Sequence, residues 1–167
     1  MAFQLDPISL THLQGVHPDL VAVVKDCAAN GSMPFTFGVS CGLRTIQQQK
    51  LAVAAGTSQT QNSRHLDGHA SDQVVLVNGQ VSWAWPSYYV LADQFRAAGL
   101  RCGIPLIWGG CWDKEMADYT DSAAHESAAY VLRSKDNGGH GFVDGPHIEL
   151  PRRVYPSGAY TPGIRTA

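Results

Sequence analysis

The sequence predicts one α+β domain in which a small antiparallel sheet is flanked by helices. Segments with helical spacing of apolar residues alternate with short strand-like runs. Asn78-Gly79 stands between two of these runs and is a strong signal for a β-hairpin, so neighbouring strands are expected to be antiparallel. The chain has 167 residues, 44% of them hydrophobic, which suits residues 1–167 as a single domain with one core.

The first part of the chain is predicted to contribute two helices and one strand. Residues 18–29 place apolar side chains at helical spacing. Residues 35–43 mix Phe, Thr and Val as strands do. Thr45 can then cap a second helix that ends at Gly56.

The middle of the chain is predicted to form a loop, a hairpin and a helix. The polar residues 57–64 are expected to be the loop. The apolar run 74–77 meets the hairpin signal and continues through Trp83, which predicts two antiparallel strands. Pro86 suits the first turn of a helix, and Gly99 is expected to end it.

Two more strands and one insertion complete the predicted domain. The strands are residues 104–108 and residues 147–150. From Asp113 to Asp144 the chain carries seven acidic residues and three basic ones. A short helix can form at residues 123–132, and we interpret the segment of about 113–143 as an insertion folded over one edge of the domain.

Charge and hydropathy exclude several classes of protein. Twelve Lys and Arg residues stand against 14 Asp and Glu residues, and no stretch gathers five basic residues, so we expect no nucleic acid partner. No apolar run approaches the roughly 20 residues needed to cross a bilayer, so we expect no membrane insertion. Residues 1–7 lack the pattern of a secretory signal peptide, so synthesis as a cytosolic protein is expected.

The four cysteines, at positions 27, 41, 102 and 111, show no Cys-x-x-Cys spacing. This argues against a zinc finger or a redox motif. We interpret them as mostly buried thiols, with a Cys102–Cys111 bridge as the alternative.

The stretch from Ser63 to Asp72 carries the most informative chemistry. Gly68 and its polar neighbours favour a loop that enters a strand at Asp72 to Val77, so His65 and Asp72 can converge across a turn. An imidazole and a carboxylate are both good zinc ligands, and a catalytic zinc site takes three protein ligands. We assign the third ligand to His147.

Asp144 precedes His147 by three residues and is expected to sit on a turn. A carboxylate there can accept a proton from a water molecule that zinc has acidified. Ordinary explanations also exist, because a single loop histidine can be a surface or capping residue and Asp144 can form an Asx turn before Gly145. The residues by themselves leave both interpretations open.

Two motifs in this order carry a family resemblance. Ser-x-His-x-x-Gly-x-Ala-x-Asp runs from Ser63 to Asp72, and Asp-x-x-His runs from Asp144 to His147. Together they resemble the LAS zinc metallopeptidases, the group that includes the D-Ala-D-Ala peptidases and the Hedgehog fold. The segments at residues 42–45, 47–49, 62–63 and 108–112 are further similar to the phage L-alanyl-D-glutamate peptidases that degrade peptidoglycan.

The resemblance implies a role for each matching residue. His65, Asp72 and His147 fall on the ligands of one Zn²⁺ ion per chain, and Asp144 falls on the catalytic carboxylate. Arg44 falls on an arginine that faces the active site in relatives. Its guanidinium could stabilise an oxyanion or bind a substrate carboxylate, with a surface salt bridge as the alternative.

Four further residues are candidates for contact with the substrate or with the ligands. Ser63 is expected to order the ligand loop by hydrogen bonding. Trp108 and Trp112 flank two glycines and can wall the site, although Trp108 can equally pack in the core. Glu149 lies on the strand face of His147 and can hydrogen-bond it, the alternative being an exposed charge. His69, His125 and His140 are not assigned a role.

The implied reaction is zinc-assisted hydrolysis of the L-Ala–D-Glu bond in the peptidoglycan stem peptide by a phage endolysin. Such a protein would wait in the host cytoplasm and act on the cell wall from the periplasm, as a monomer without a separate wall-binding domain. Three tail arginines, Arg152, Arg153 and Arg165, would add attraction to anionic envelope material. The alternatives are a D,D-carboxypeptidase or D-Ala-D-Ala dipeptidase, and a non-catalytic zinc-binding module.

Overall fold

Helices and strands alternate along the chain in the computed structural model, which describes residues 2–158. The helices are α1 (Pro7–His12), α2 (Pro18–Asn30), α3 (Ile46–Ala54), α4 (Trp85–Cys102) and α5 (Ala123–Asp136). The strands are β1 (Thr36–Cys41), β2 (Ala70–Val77), β3 (Gln80–Ser82), β4 (Ile107–Trp108) and β5 (His147–Glu149). Short 3-10 turns occupy Arg64–Asp67 and Met116–Asp118. The predicted α+β class is therefore confirmed, and Arg165 lies outside the described residues.

The strands form an antiparallel sheet built around β2. Their order is β1-β2-β5-β4, and β3 pairs with the C-terminal part of β2. The register places Asp72 opposite Cys41 on β1 and opposite His147 on β5. Since directly paired residues point to the same face of a sheet, Asp72 and His147 lie side by side on one face.

The other face of the sheet packs against helices. Val75 of β2 and Ile148 of β5 are buried in one apolar cluster with Leu20 of α2 and Phe95 of α4. Truncating a core residue of this kind typically costs about 2–5 kcal/mol. This core therefore supports the β2–β5 pair from behind, where the two strands carry Asp72 and His147.

Helix α1 is an element that apolar periodicity did not predict. It has six residues, too few for a helical repeat of apolar residues to be recognised. The feature that marks its start is the N-cap, where the Asp6 carboxylate accepts a hydrogen bond from the Ser9 N–H at 2.7 Å. Pro7 occupies the first turn. The Val39 N–H donates to Ser9 Oγ at 2.9 Å, so α1 covers the open edge of β1.

The prediction that Gly99 ends α4 is wrong. The helix continues to Cys102, and Gly103, at φ +67°, provides the left-handed residue that ends it. Gly99 is a packing glycine instead, because a Cβ there would lie 2.9 Å from the Ile104 carbonyl oxygen. The strand expected at residues 104–108 shortens to Ile107–Trp108.

Other local predictions agree with the structure. Thr45 and Gln48 form a capping box at the start of α3. The hairpin turns at Asn78 and Gly79, with φ values of +52° and +78°. The loop predicted at residues 57–64 ends one residue early, because Arg64 is buried in a 3-10 turn.

All four cysteines are free thiols in the structure. Cys27 and Cys111 are buried, whereas Cys41 and Cys102 are only partly buried. In the part of the chain that the structure describes, no helix combines the length and the apolar character needed to span a bilayer.

Candidate active site

Three side chains predicted as metal ligands meet on one face of the sheet. His65 comes from the 3-10 turn, Asp72 from β2 and His147 from β5. His65 Nε2 lies 3.1 Å from Asp72 Oδ1 and 3.2 Å from His147 Nδ1. The third distance, from His147 Nδ1 to Asp72 Oδ1, is 3.1 Å. This nearly equilateral triangle of two nitrogens and one oxygen is compatible with a metal ion.

Each of these ligands is held by a second polar group. His65 Nδ1 donates to the Gly42 carbonyl oxygen at 2.7 Å, and His147 Nε2 donates to Glu149 Oε2 at 2.9 Å. In these tautomers His65 Nε2 and His147 Nδ1 carry no proton, so each has a lone pair available for a metal ion. The second carboxylate oxygen of Asp72 accepts a hydrogen bond from Arg44.

The charges of the triangle depend strongly on one another. Burial raises the pKa of Asp72, but the neighbouring imidazoles outweigh it and hold that pKa far below its usual range. Burial lowers the pKa of His147, but its hydrogen bonds to Asp72 and Glu149 outweigh this and raise the pKa to about 10. A metal cation bound here would replace protons on the imidazoles.

The turn that carries His65 is fixed at both ends. Ser63 Oγ accepts a hydrogen bond from the His65 N–H at 3.3 Å, as expected of a cap. Gly68, at φ +72°, closes the turn. Arg64 is only 2% exposed and donates to the Leu150 carbonyl oxygen through two of its nitrogens, which ties the turn to the end of β5. Sequence reasoning placed Arg64 in a polar loop and missed this role.

Asp144 lies beside the triangle. One of its carboxylate oxygens is within 4.8 Å of ligand atoms of Asp72 and His147. Among residues 2–158 no group donates a hydrogen bond to this carboxylate, so it does not form the Asx turn considered above. Burial, and then the negative charge of Asp72, raise the pKa of Asp144. It is therefore a carboxylate free to exchange a proton.

Gly109 positions Asp144. The Asp144 N–H donates to the Gly109 carbonyl oxygen at 2.8 Å, and the Gly109 N–H donates to the His147 carbonyl oxygen at 2.9 Å. A Cβ at position 109 would lie 2.3 Å from the Asp144 carbonyl oxygen, a distance that no side chain tolerates. Only glycine lets the two backbone segments approach this closely.

Arg44 lines the cleft, and each of its nitrogens has a partner. Nη2 donates to Asp72, Nη1 donates to Gln49 Oε1 at 3.3 Å, and Nε donates to Cys41 Sγ at 3.1 Å. These contacts make Arg44 an orienting group for Asp72. Cys41 carried no sequence signal, and Gln49 carried only its place in the 47–49 segment of the resemblance. Their contacts with Arg44 appear only in the folded chain.

An open cleft of about 450 Å³ adjoins the triangle. Its aromatic wall contains Trp112 and Phe142, whose rings stack with centroids 6.4 Å apart, and Trp112 lies 5.0 Å from the His147 ring. Trp108 has no exposed surface and donates from Nε1 to the Gly145 carbonyl oxygen at 2.8 Å. The alternative of core packing therefore describes Trp108, and Trp112 forms the wall.

The three unassigned histidines fall in different places. His140 lines the cleft. His125 is exposed on α5 and lies 3.4 Å from Asp121. His69 is buried, and its Nδ1 lies 2.9 Å from Asp67 Oδ1.

Comparisons with known proteins identify the family of the chain. Residues 1–151 match the family model described as phage L-alanyl-D-glutamate peptidase. The chain is 29% identical over 154 residues to the L-alanyl-D-glutamate peptidase of Escherichia phage T5, an alignment that covers 90% of this chain and 99% of that protein. The crystal structure of the Serratia marcescens L-Ala D-Glu endopeptidase ChiX is similar with a TM-score of 0.69 and 37% identity, covering 93% of this chain and 94% of that one.

A further relative differs in length. The chain is 29% identical over 126 residues to the L-alanyl-D-glutamate peptidase of Listeria phage A118, which covers 75% of this chain and 34% of that protein. The family match, by contrast, extends over all elements described above, from α1 to β5. The resemblance predicted from the two motifs is thus confirmed, and the chain belongs to the phage L-alanyl-D-glutamate peptidase family.

Proposed function

We propose that this protein is a zinc-dependent endopeptidase that hydrolyses the L-Ala–D-Glu bond of peptidoglycan stem peptides. The observation that carries the proposal is the triangle of His65, Asp72 and His147, with the unpaired carboxylate of Asp144 beside it in an open cleft. The substrate is the one named in the related peptidases.

Zinc fits the donor set. Ligand atoms placed about 2.0–2.1 Å from a tetrahedral zinc ion lie about 3.3 Å from one another. The three ligand atoms of His65, Asp72 and His147 are 3.1–3.2 Å apart. Two imidazole nitrogens and one carboxylate oxygen match the three protein ligands that a catalytic zinc ion would take. When bound, zinc supplies Lewis-acid polarisation of a carbonyl group and acidification of water.

The protein's own groups provide the proton transfers. Asp144 accepts the proton of the attacking water and then delivers a proton to the nitrogen of the leaving amine. Its raised pKa suits this exchange, because a carboxylate with a higher pKa is a stronger base and takes the proton from water more readily. Arg44 holds Asp72 in place throughout, and the Trp112–Phe142 wall orients the substrate chain.

The phage relatives suggest the biological setting. We propose that the protein is an endolysin that waits in the host cytoplasm and acts on the cell wall from the periplasm. We propose further that residues 1–167 work as one catalytic domain and as a monomer.

The product of digestion tests the activity. Purified sacculi are treated with the zinc-loaded protein, and the soluble fragments are analysed by mass spectrometry. Fragments with a newly exposed N-terminal D-Glu are expected. Release of terminal D-Ala would identify a D,D-carboxypeptidase or a dipeptidase instead. Sacculi that stay intact would indicate a non-catalytic zinc-binding module.

A further inference from the structure

Three arginines line the cleft, and two of them are neutralised by a carboxylate. Arg44 pairs with Asp72, and Arg64 pairs with Asp67 at 2.7 Å. Within residues 2–158, Arg152 makes no ion pair with a carboxylate. Arg152 therefore brings into the cleft a positive charge that no acidic group of the described chain contacts.

The guanidinium of Arg152 is nevertheless held in place. Its Nη1 donates to Ser157 Oγ at 2.6 Å, and its Nη2 donates to the Asn62 carbonyl oxygen at 2.8 Å. Asn62 directly precedes Ser63, which caps the turn of His65. Nε has no hydrogen-bond partner among the described residues, and the side chain is exposed. The group is thus anchored beside the ligand turn and keeps donors available for an incoming acceptor.

The proposed substrate carries an anion close to the scissile bond. A glutamyl residue linked to alanine through its nitrogen has two carboxyl groups. Whichever of them continues the peptide, the other is left as a free carboxylate unless it is amidated. The glutamyl residue contributes the leaving amine, so this anion enters the cleft on the amine side of the scissile bond. A guanidinium is the side chain best suited to bind a carboxylate through paired hydrogen bonds.

We propose that Arg152 binds the free carboxylate of the substrate glutamate and makes the enzyme select a glutamyl residue after the scissile bond. The assignment rests on the proposed function. Arg44 is less suited to this task, because its Nη2 already holds the ligand carboxylate of Asp72.

Two synthetic peptides test the assignment. They share one sequence around an L-Ala–D-Glu bond, and differ only in that the free glutamate carboxylate of one is a carboxamide in the other. We expect the zinc-loaded wild-type chain to prefer the carboxylate peptide in kcat/KM by about 10- to 100-fold, the range of a charge-assisted hydrogen bond. Arg152→Gln is expected to abolish most of this preference, and Arg152→Lys to restore part of it.

Arg153→Gln is the matched control. Arg153 is the next residue, but it pairs with Glu115 and lies outside the cleft, so this variant should keep the wild-type preference. A wild-type enzyme that cleaves both peptides equally well would overturn the assignment. An Arg152→Gln variant that lowers kcat/KM for both peptides by the same factor would also overturn it. That result would indicate that Arg152 only supports the structure through its hydrogen bond to Asn62. If the wild type cleaves neither peptide, the proposed function itself fails.

Discussion

At the scale of single residues, each candidate metal ligand depends on a neighbour that fixes its orientation. The neighbours are the Gly42 carbonyl oxygen, Arg44 and Glu149. Strand alternation allowed the Glu149 contact to be foreseen, and the family resemblance singled out Arg44. The Gly42 contact could not be foreseen, because a backbone carbonyl leaves no mark in the sequence.

The different positions of the two tryptophans could not be predicted from the sequence either. Trp108 and Trp112 both flank the Gly109-Gly110 pair, and the sequence pattern treats them alike. Only the β4–β5 pairing separates them, because it turns Trp108 into the core and leaves Trp112 beside His147.

Replacing Glu149 tests the support of a ligand. Glu149→Gln removes the charged acceptor of the His147 Nε2–H, and we expect zinc affinity to fall by about 10- to 100-fold. Competition with a chelator measures the affinity. Glu115→Gln is a matched control, because Glu115 pairs with Arg153 outside the cleft. Equal zinc affinity in the Glu149→Gln variant and the wild type would refute a supporting role for Glu149.

Replacing Asp144 separates catalysis from metal binding. Asp144→Asn keeps the shape of the side chain but cannot accept a proton, so we expect kcat to fall by at least about 100-fold. Zinc content should stay at the wild-type level, because Asp144 is outside the ligand triangle. Both quantities are measured on the same preparation. A variant with kcat within a few-fold of the wild type would remove Asp144 from the proton-transfer steps.

At the scale of elements, β2 explains why part of the sheet escaped sequence analysis. The apolar run marks only its second half, whereas the strand begins at Ala70. In the first half the cleft face carries Asp72, and the core face carries Ser71 and Gln73, which hydrogen-bond each other at 2.7 Å. In this half of β2, polar residues stand on both faces, so the alternation of apolar and polar residues that marks a strand is missing where the site is built.

Helix α5 is anchored through one buried carboxylate. Glu126, only 3% exposed, pairs with Lys114 at 2.7 Å and accepts a hydrogen bond from the Thr120 N–H at 2.8 Å. The contact with Lys114, aided by Thr120, lowers the pKa of Glu126 to about 2. These contacts hold residues 114–120 against the helix.

Stability should therefore depend on the charge of Glu126. Its pKa is lower in the folded state, so its contribution is fully present above about pH 4.5 and disappears as the pH falls towards 2. Glu126→Gln is expected to lower the free energy of unfolding by about 1–3 kcal/mol at pH 7. Urea unfolding of variant and wild type at several pH values measures the difference. A difference that stays constant from pH 7 to pH 2.5 would contradict the ionised state assigned to Glu126.

At the scale of the whole molecule, the site joins segments far apart in the chain. The two motifs singled out the three candidate ligands because motif residues keep their order and spacing, and the β2–β5 pairing brings Asp72 to His147. Trp112 was predicted as a wall of the cleft, but the part that the acidic segment plays in the cleft was not predicted. Tyr130 and Phe142 line the cleft and belong to the acidic segment that we interpreted as an insertion. Helix α5 of this segment packs against α4, a contact between distant parts of the chain.

Elemental analysis of the purified protein tests whether His65, Asp72 and His147 together bind one zinc ion. The wild type is expected to hold one zinc ion per chain. His147→Ala should hold none, because one of three protein ligands is lost. His125→Ala, which alters an exposed histidine of α5, should keep the wild-type content. A His147→Ala protein that still binds zinc stoichiometrically would contradict the account.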